Sequence, residues 1–147
     1  MFKHVLVPTD GSELSNRAVA TAAGLAHALG AKLLLLHVRS PIVSPHHVEG
    51  GALSSLGGSV QMQEIEAEER ALLDAALDIA AASCAEAETA FVSGYSVPDA
   101  IARIAREQAC DLIVMASHGR RGIGGLLLGS EAQKVLTHSS LPVMIVR

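Results

Sequence analysis

Apolar residues fall along this chain in two alternating rhythms: short unbroken runs, and longer stretches in which they return every three or four positions. Residues 4–8 make a first strand, stopped by Pro-Thr-Asp-Gly-Ser, residues that favour turns and helix N-caps. Leu14, Ala18, Ala22, Leu25, Ala26 and Leu29 then recur at helical spacing behind a capping candidate, Ser12, and Gly30 closes the segment as a left-handed C-terminal residue would. The run 33–38 is apolar without alternation, as a strand covered on both faces requires. Residues 39–59 bring prolines, glycines, serines and two adjacent histidines, which predicts a long irregular connection, a mobile flap. A helical stripe returns at Met62, Ile65, Leu72, Leu73, Ala76 and Ala80, and a brief strand follows over 89–92. Pro98 opens a third helix carrying Ile101, Ile104 and Ala105, because a missing N–H costs nothing in a first turn. A buried strand over 112–116, a glycine-dense turn, a short helix over 130–137 and a strand over 143–146 complete the chain.

This alternation predicts one α/β domain over 1–147: an open, parallel, five-stranded, Rossmann-like sheet with helices on both faces. In such sheets ligands bind beyond the carboxyl ends of the strands, where connections depart to opposite sides. Two loops matter most on that ground, 8–12 and 116–130.

Composition agrees with a compact fold. Half of the 147 residues are hydrophobic and 18% are charged, and a domain of this size buries roughly 70% of the surface its unfolded chain exposes. Disorder is excluded. Aromatics are 2% of the chain, so a ligand base would be held by aliphatic side chains and backbone rather than stacked on rings. A net charge of −4 gives no electrostatic footprint for nucleic acid or an anionic membrane. Cys84 and Cys110 lie on separate apolar segments with no metal-site spacing, which predicts buried thiols in a reducing compartment. The N-terminal apolar run is too short for a signal-peptide core and no stretch reaches the ~18 apolar residues of a spanning helix, so the expected location is cytoplasmic.

Candidate chemistry gathers at the second loop. A strand end, a glycine loop and a helix opening at Ser130 aim main-chain N–H groups and a positive dipole end at one point, which suits a phosphate; the bland alternative is that the glycines make tight turns. His118 could donate to such a phosphate, and Arg120 and Arg121 add charge unless merely solvated. Asp10 can accept from an amino or hydroxyl group, or simply cap the first helix. Met-Ala-Ser-His-Gly has the look of a nucleophile elbow around Ser117, the hydrolase alternative, but Met115 stands where the sharp turn wants no side chain. His46, His47 and Glu49 could be imagined on a metal, yet adjacent histidines diverge in an extended loop, and no metal site is expected. With no Walker lysine and no paired carboxylates, hydrolysis of a nucleotide would be slow at most.

Val-Pro-Thr-Asp-Gly-Ser after the first strand, Cys-Asp-Leu-Ile-Val-Met-Ala-Ser-His-Gly-Arg, Leu-Leu-Leu-Gly-Ser and the closing Leu-Pro-Val-Met-Ile-Val-Arg resemble the universal stress protein family from end to end. Its ATP-binding members carry Gly, two residues, Gly, nine residues, then Gly and Ser or Thr. Gly119, Gly129 and Ser130 match with the nine-residue spacer, and Ala116 replaces the first glycine. The resemblance implies an adenine nucleotide alpha hydrolase-like fold binding ATP or another adenine nucleotide, with or without magnesium. It sets Asp10 toward the adenine, with Pro8 and Thr9 shaping the floor and Val38 lending backbone groups to the base edge. Met115 would contact the pocket only as strand packing does, and Glu131 would offer its N–H beside the phosphate-contacting Ser130. It further implies homodimers built on the last strand, whose edge would otherwise stay unpaired, other protein partners yet to be identified, and a regulatory role in stress response. A member that has lost its nucleotide and acts through protein contacts alone is the alternative, and Ala116 is its argument. A left-handed Ala116 would cost ~1 kcal/mol or more, an extended one almost nothing.

Overall fold

The computed structural model describes residues 1–41, 54–83, 85–119 and 128–147, with the backbone alone for 54–61. Its elements are β1 (His4–Pro8), α1 (Glu13–Leu29), β2 (Lys32–Arg39), α2 (Ser54–Ala81), β3 (Ala87–Ser93), α3 (Val97–Glu107), β4 (Leu112–Ala116), α4 (Ser130–His138) and β5 (Val143–Val146). The five strands form one parallel sheet in the order β3-β2-β1-β4-β5.

The unbroken apolar runs are explained by helices on both faces. Val5, Val7, Leu33, Leu35 and Val114 pack toward α1 and α2, against Ala18, Val19, Ala22 and Leu73. Their strand neighbours Leu6, Leu34, Leu36, Ile113 and Met115 face α3 and α4, against Ile101, Ile104, Ala132 and Val135. Ser12 caps α1 by accepting from the Ser15 N–H, and Gly30 ends it in the left-handed region at φ 61°. Both ends follow the sequence signals.

From β1 the chain steps outward to β2 and β3, then crosses to β4 on the other side of β1 and continues to β5. Connections therefore diverge between β1 and β4, and the crevice at the carboxyl ends of that pair is the place where this architecture takes ligands.

Two elements differ from expectation. Helix α2 begins at Ser54, inside the segment expected to be irregular through Ser59. Gly57 and Gly58 each cost about 1 kcal/mol against alanine in a helix, but extending a formed helix gains a hydrogen bond per residue, so a long helix carries them. Residues 42–53, with His46, His47 and Glu49, lie outside the described residues, as do Cys84, Arg120 and Arg121. Strand β3 runs from Ala87 to Ser93, longer than the apolar run 89–92, because a sheet edge lets Glu88 and Thr89 face solvent. Cys110 is a free thiol whose burial pushes its pKa up to about 11. Among the described residues no helix is long and apolar enough to cross a membrane.

Candidate functional site

The loop leaving β1 is shaped by its own short polar side chains. Thr9 extends the β1–β2 ladder by one rung, its N–H donating to Leu36 O at 2.8 Å. Its buried hydroxyl meets Ser15 Oγ at 3.2 Å and accepts from the Gly11 N–H at 3.3 Å. Gly11 takes φ 75°, a left-handed value that favours glycine. Asp10 does not cap α1, which Ser12 does; its Oδ1 accepts from the Ser12 N–H at 3.0 Å, tightening the turn before the helix.

The loop leaving β4 returns to the strand it left. The Ser117 N–H donates to Val146 O and the Gly129 N–H donates to Ser117 O, each at 2.8 Å. A Cβ at position 129 would stand 2.8 Å from Ser117 O and 3.3 Å from His118 Cα, so only glycine permits this approach. Helix α4 then opens at Ser130 with Gly129 at its N-cap and, among the described residues, no side-chain cap hydrogen bond, whereas Ser12 and Ser96 cap α1 and α3. First-turn N–H groups lack partners within a helix and sit at the positive end of its dipole. Among the described residues the two loops approach each other at Gly119 and Asp10: a Cβ on Gly119 would lie 2.6 Å from Asp10 Oδ2.

The candidate residues fall around this junction in different ways. Thr9, Asp10, His118, Gly119, Gly129, Ser130 and Glu131 lie on the two loops or the opening of α4, with Pro8 at the end of β1. Val38 lies near the end of β2 and packs on the α3/α4 side. Met115 is buried in β4. Ala116, the last residue of β4, is not left-handed: among the described residues only Ala109 combines a side chain with positive φ. No backbone strain therefore arises from the alanine, and it packs in the α1/α2-side core. Ser117 Oγ and His118 Nδ1 are 3.1 Å apart. That serine, only 4% exposed, is inside the fold rather than presented on an elbow. Among the described residues no carboxylate pairs with His118, and no three His, Cys, Asp or Glu side chains group as metal ligands.

Sequence reasoning missed the layer behind the loop. His37 Nδ1 lies 2.8 Å from Thr9 O, and its Nε2 faces Glu69 Oε1 at 3.9 Å. Arg39 grips the same Glu69 through both carboxylate oxygens, with Nε at 2.7 Å from Oε1, and its guanidinium lies over the Phe91 ring at 4.7 Å. The Glu69 hydrogen bond raises the Arg39 pKa above its already high ordinary value, outweighing burial. The available signal was a histidine interrupting an apolar run at the carboxyl end of an interior strand.

The sequence profile of the universal stress protein family matches residues 1–147. Universal stress protein YxiE of Bacillus subtilis is 34% identical over 157 aligned positions, covering 100% of each chain. A universal stress protein of Thermus aquaticus is 34% identical over 149, again covering 100% of each. Among solved structures, a universal stress protein in complex with cAMP superposes with a TM-score of 0.74 at 32% identity, covering 99% of this chain and 97% of that one.

Proposed function

This chain belongs to the universal stress protein family, and from that membership we propose that it binds an adenine nucleotide, ATP foremost, in the β1/β4 crevice and acts by presenting the bound state to partner proteins in stress response. The observation that carries the reading is the junction itself. A helix start without a side-chain cap among the described residues, a glycine that permits a 2.8 Å main-chain contact, and a second glycine under the Asp10 carboxylate meet where the strand order reverses. The relative in complex with cAMP supports an adenine ligand in this fold.

In this reading the N–H groups of Ser130 and Glu131 and the loop glycines take the phosphates, each dipole contact contributing ~0.3–1 kcal/mol at a surface. His118 donates from the β4 loop. Asp10 and the backbone of Val38 take the base and ribose end, over a floor of Pro8 and Thr9. Magnesium would arrive on the phosphate oxygens. The loop 117–129 carries no lysine, so the task is binding and signalling, with hydrolysis slow at most.

The finer assembly belongs to the same proposal. Strand β5 is an edge, with Met144 40% exposed on it, and pairing with β5 of a second copy would satisfy its open backbone groups. The reading places the homodimer in the cytoplasm. Titration calorimetry with ATP, ADP, AMP and cAMP tests the core of it. Saturable binding that Asp10→Ala weakens, with folding intact, is expected; no binding of any of the four would leave the protein-contact reading in its place.

A further inference from the structure

Where β1 leaves the sheet, a side chain completes the work of the ladder. The Thr9 N–H still pairs with Leu36 O, but the Thr9 carbonyl lies 2.8 Å from the His37 imidazole. A carbonyl has no proton to give, so Nδ1 is the donor and the tautomer is fixed. The opposite nitrogen, Nε2, faces a second acceptor, Glu69 of α2. One ring thus stands between the peptide that carries Asp10 and the helix on the far side of the strand. The ring is held on its flat side too, stacked on Phe91 with centroids 6.0 Å apart. Leu33 and Leu35 turn to the same face, which places His37 by the two-residue period of the strand.

We infer that His37 is a positioning residue of the nucleotide site, orienting the Thr9–Asp10 peptide through its Nδ1–H. The affinity part of this inference rests on the nucleotide reading; the coupling of ring to peptide does not. The charged groups around the imidazole are Glu69 from α2 and Arg39 from its own strand, with Glu66 of α2 acting on Arg39; β3 supplies the Phe91 ring and the β1 loop the Thr9 carbonyl.

Three full-length variants separate positioning from bulk. In His37→Asn the amide nitrogen stands where Nδ1 stands and can donate to Thr9 O, His37→Gln carries its amide to the Nε2 position, and His37→Leu fills space without donating. In nucleotide-free protein followed by NMR, the Thr9 carbonyl and Asp10 amide resonances should shift away from their wild-type positions in His37→Leu and His37→Gln, which leave Thr9 O without its donor. In His37→Asn they should stay near their wild-type positions. With ATP as the probe, His37→Asn should bind within about 2-fold of wild type and His37→Leu and His37→Gln about 10-fold more weakly, the scale of one lost hydrogen bond. Thr9 and Asp10 resonances indifferent to the ring overturn the inference, as does equal weakening in all three variants. Should the wild type bind no ATP, the nucleotide reading fails while the resonances still decide the coupling; should His37→Leu not fold, the Asn and Gln pair decides it.

Discussion

The carboxylate of Asp10 fills the space that a side chain at position 119 would need: a Cβ on Gly119 would lie 2.6 Å from its Oδ2. The other oxygen, Oδ1, is already bonded to the Ser12 N–H at 3.0 Å. The carboxylate is thus wedged between the two loops of the crevice. Gly119→Ala must push it away and strain or break the Ser12 bond. We expect ATP affinity to fall about 10-fold with only a small change in melting temperature, since the displaced group is a half-buried side chain rather than core. Asp10→Ala removes the obstacle, so the double variant should bind no worse than Asp10→Ala alone. Calorimetry through the full cycle checks this, and additive losses would show that the two residues act separately.

Ala116 stands where the family's ATP-binding pattern has glycine, but it is the last residue of an extended strand and paired with Val146. No left-handed backbone calls for glycine there. Ala116→Gly should therefore leave ATP affinity within about 2-fold of wild type. Its effect should appear in stability instead, a loss of about 0.5–1 kcal/mol from backbone entropy, with a further loss for the removed buried methyl. Paired calorimetry and urea melts measure both. A gain of about 10-fold in affinity would mean that the methyl crowds the ligand.

What could be read from the sequence was whatever is decided by neighbours in the chain. Leu33, Leu34, Leu35 and Leu36 announce a doubly covered strand because both faces of β2 are buried. Ser12 and Gly30 announce the ends of α1 through local capping. Alternating elements then imply a reversal of strand order, and so which two loops meet. Contacts across long separations were not legible. His37 reaches Thr9 across 28 residues, and nothing in an apolar run says that its one imidazole faces a carbonyl on one side and a carboxylate on the other. The beginning of α2 was hidden for a different reason: Gly57 and Gly58 speak against a helix locally, and propagation along a 28-residue helix overrides them.

Past the end of α3, Ala109 adopts φ 52°, and its N–H donates to Arg106 O at 3.1 Å as the helix unwinds. An L-residue in this region costs roughly 1–2 kcal/mol, which glycine avoids. Glycine also gives the unfolded chain more freedom, offsetting about 0.4–1 kcal/mol of the gain. Ala109→Gly is accordingly expected to stabilise the protein by about 0.5–1 kcal/mol, a rise of roughly 1–4 °C in melting temperature. Thermal and urea denaturation check it, and a lower melting temperature would mean that the alanine methyl contributes packing worth more than the strain.

Asp111 fastens the beginning of β4 to the beginning of β1. Its Oδ2 accepts from the Lys3 N–H at 2.8 Å and its Oδ1 from the His4 N–H at 3.0 Å, while its own N–H donates to His4 O at 2.9 Å. Burial opposes the charge, but the two main-chain donors outweigh it, and the carboxyl is held below the usual carboxylate range. A carboxyl whose pKa is lowered on folding stabilises the protein fully above its unfolded value, about 4, and loses that contribution as pH falls through the lower folded value. Asp111→Asn keeps one acceptor and turns an amide toward the other N–H, so at neutral pH it should cost about 1–2 kcal/mol. The deficit should persist down to about pH 5 and shrink below about pH 4 as the wild-type carboxyl takes up its proton. Urea midpoints of the two proteins across that range measure the difference. A gap of the same size at pH 7 and well below pH 4 would show that the variant acts through packing, with the charge of Asp111 contributing nothing.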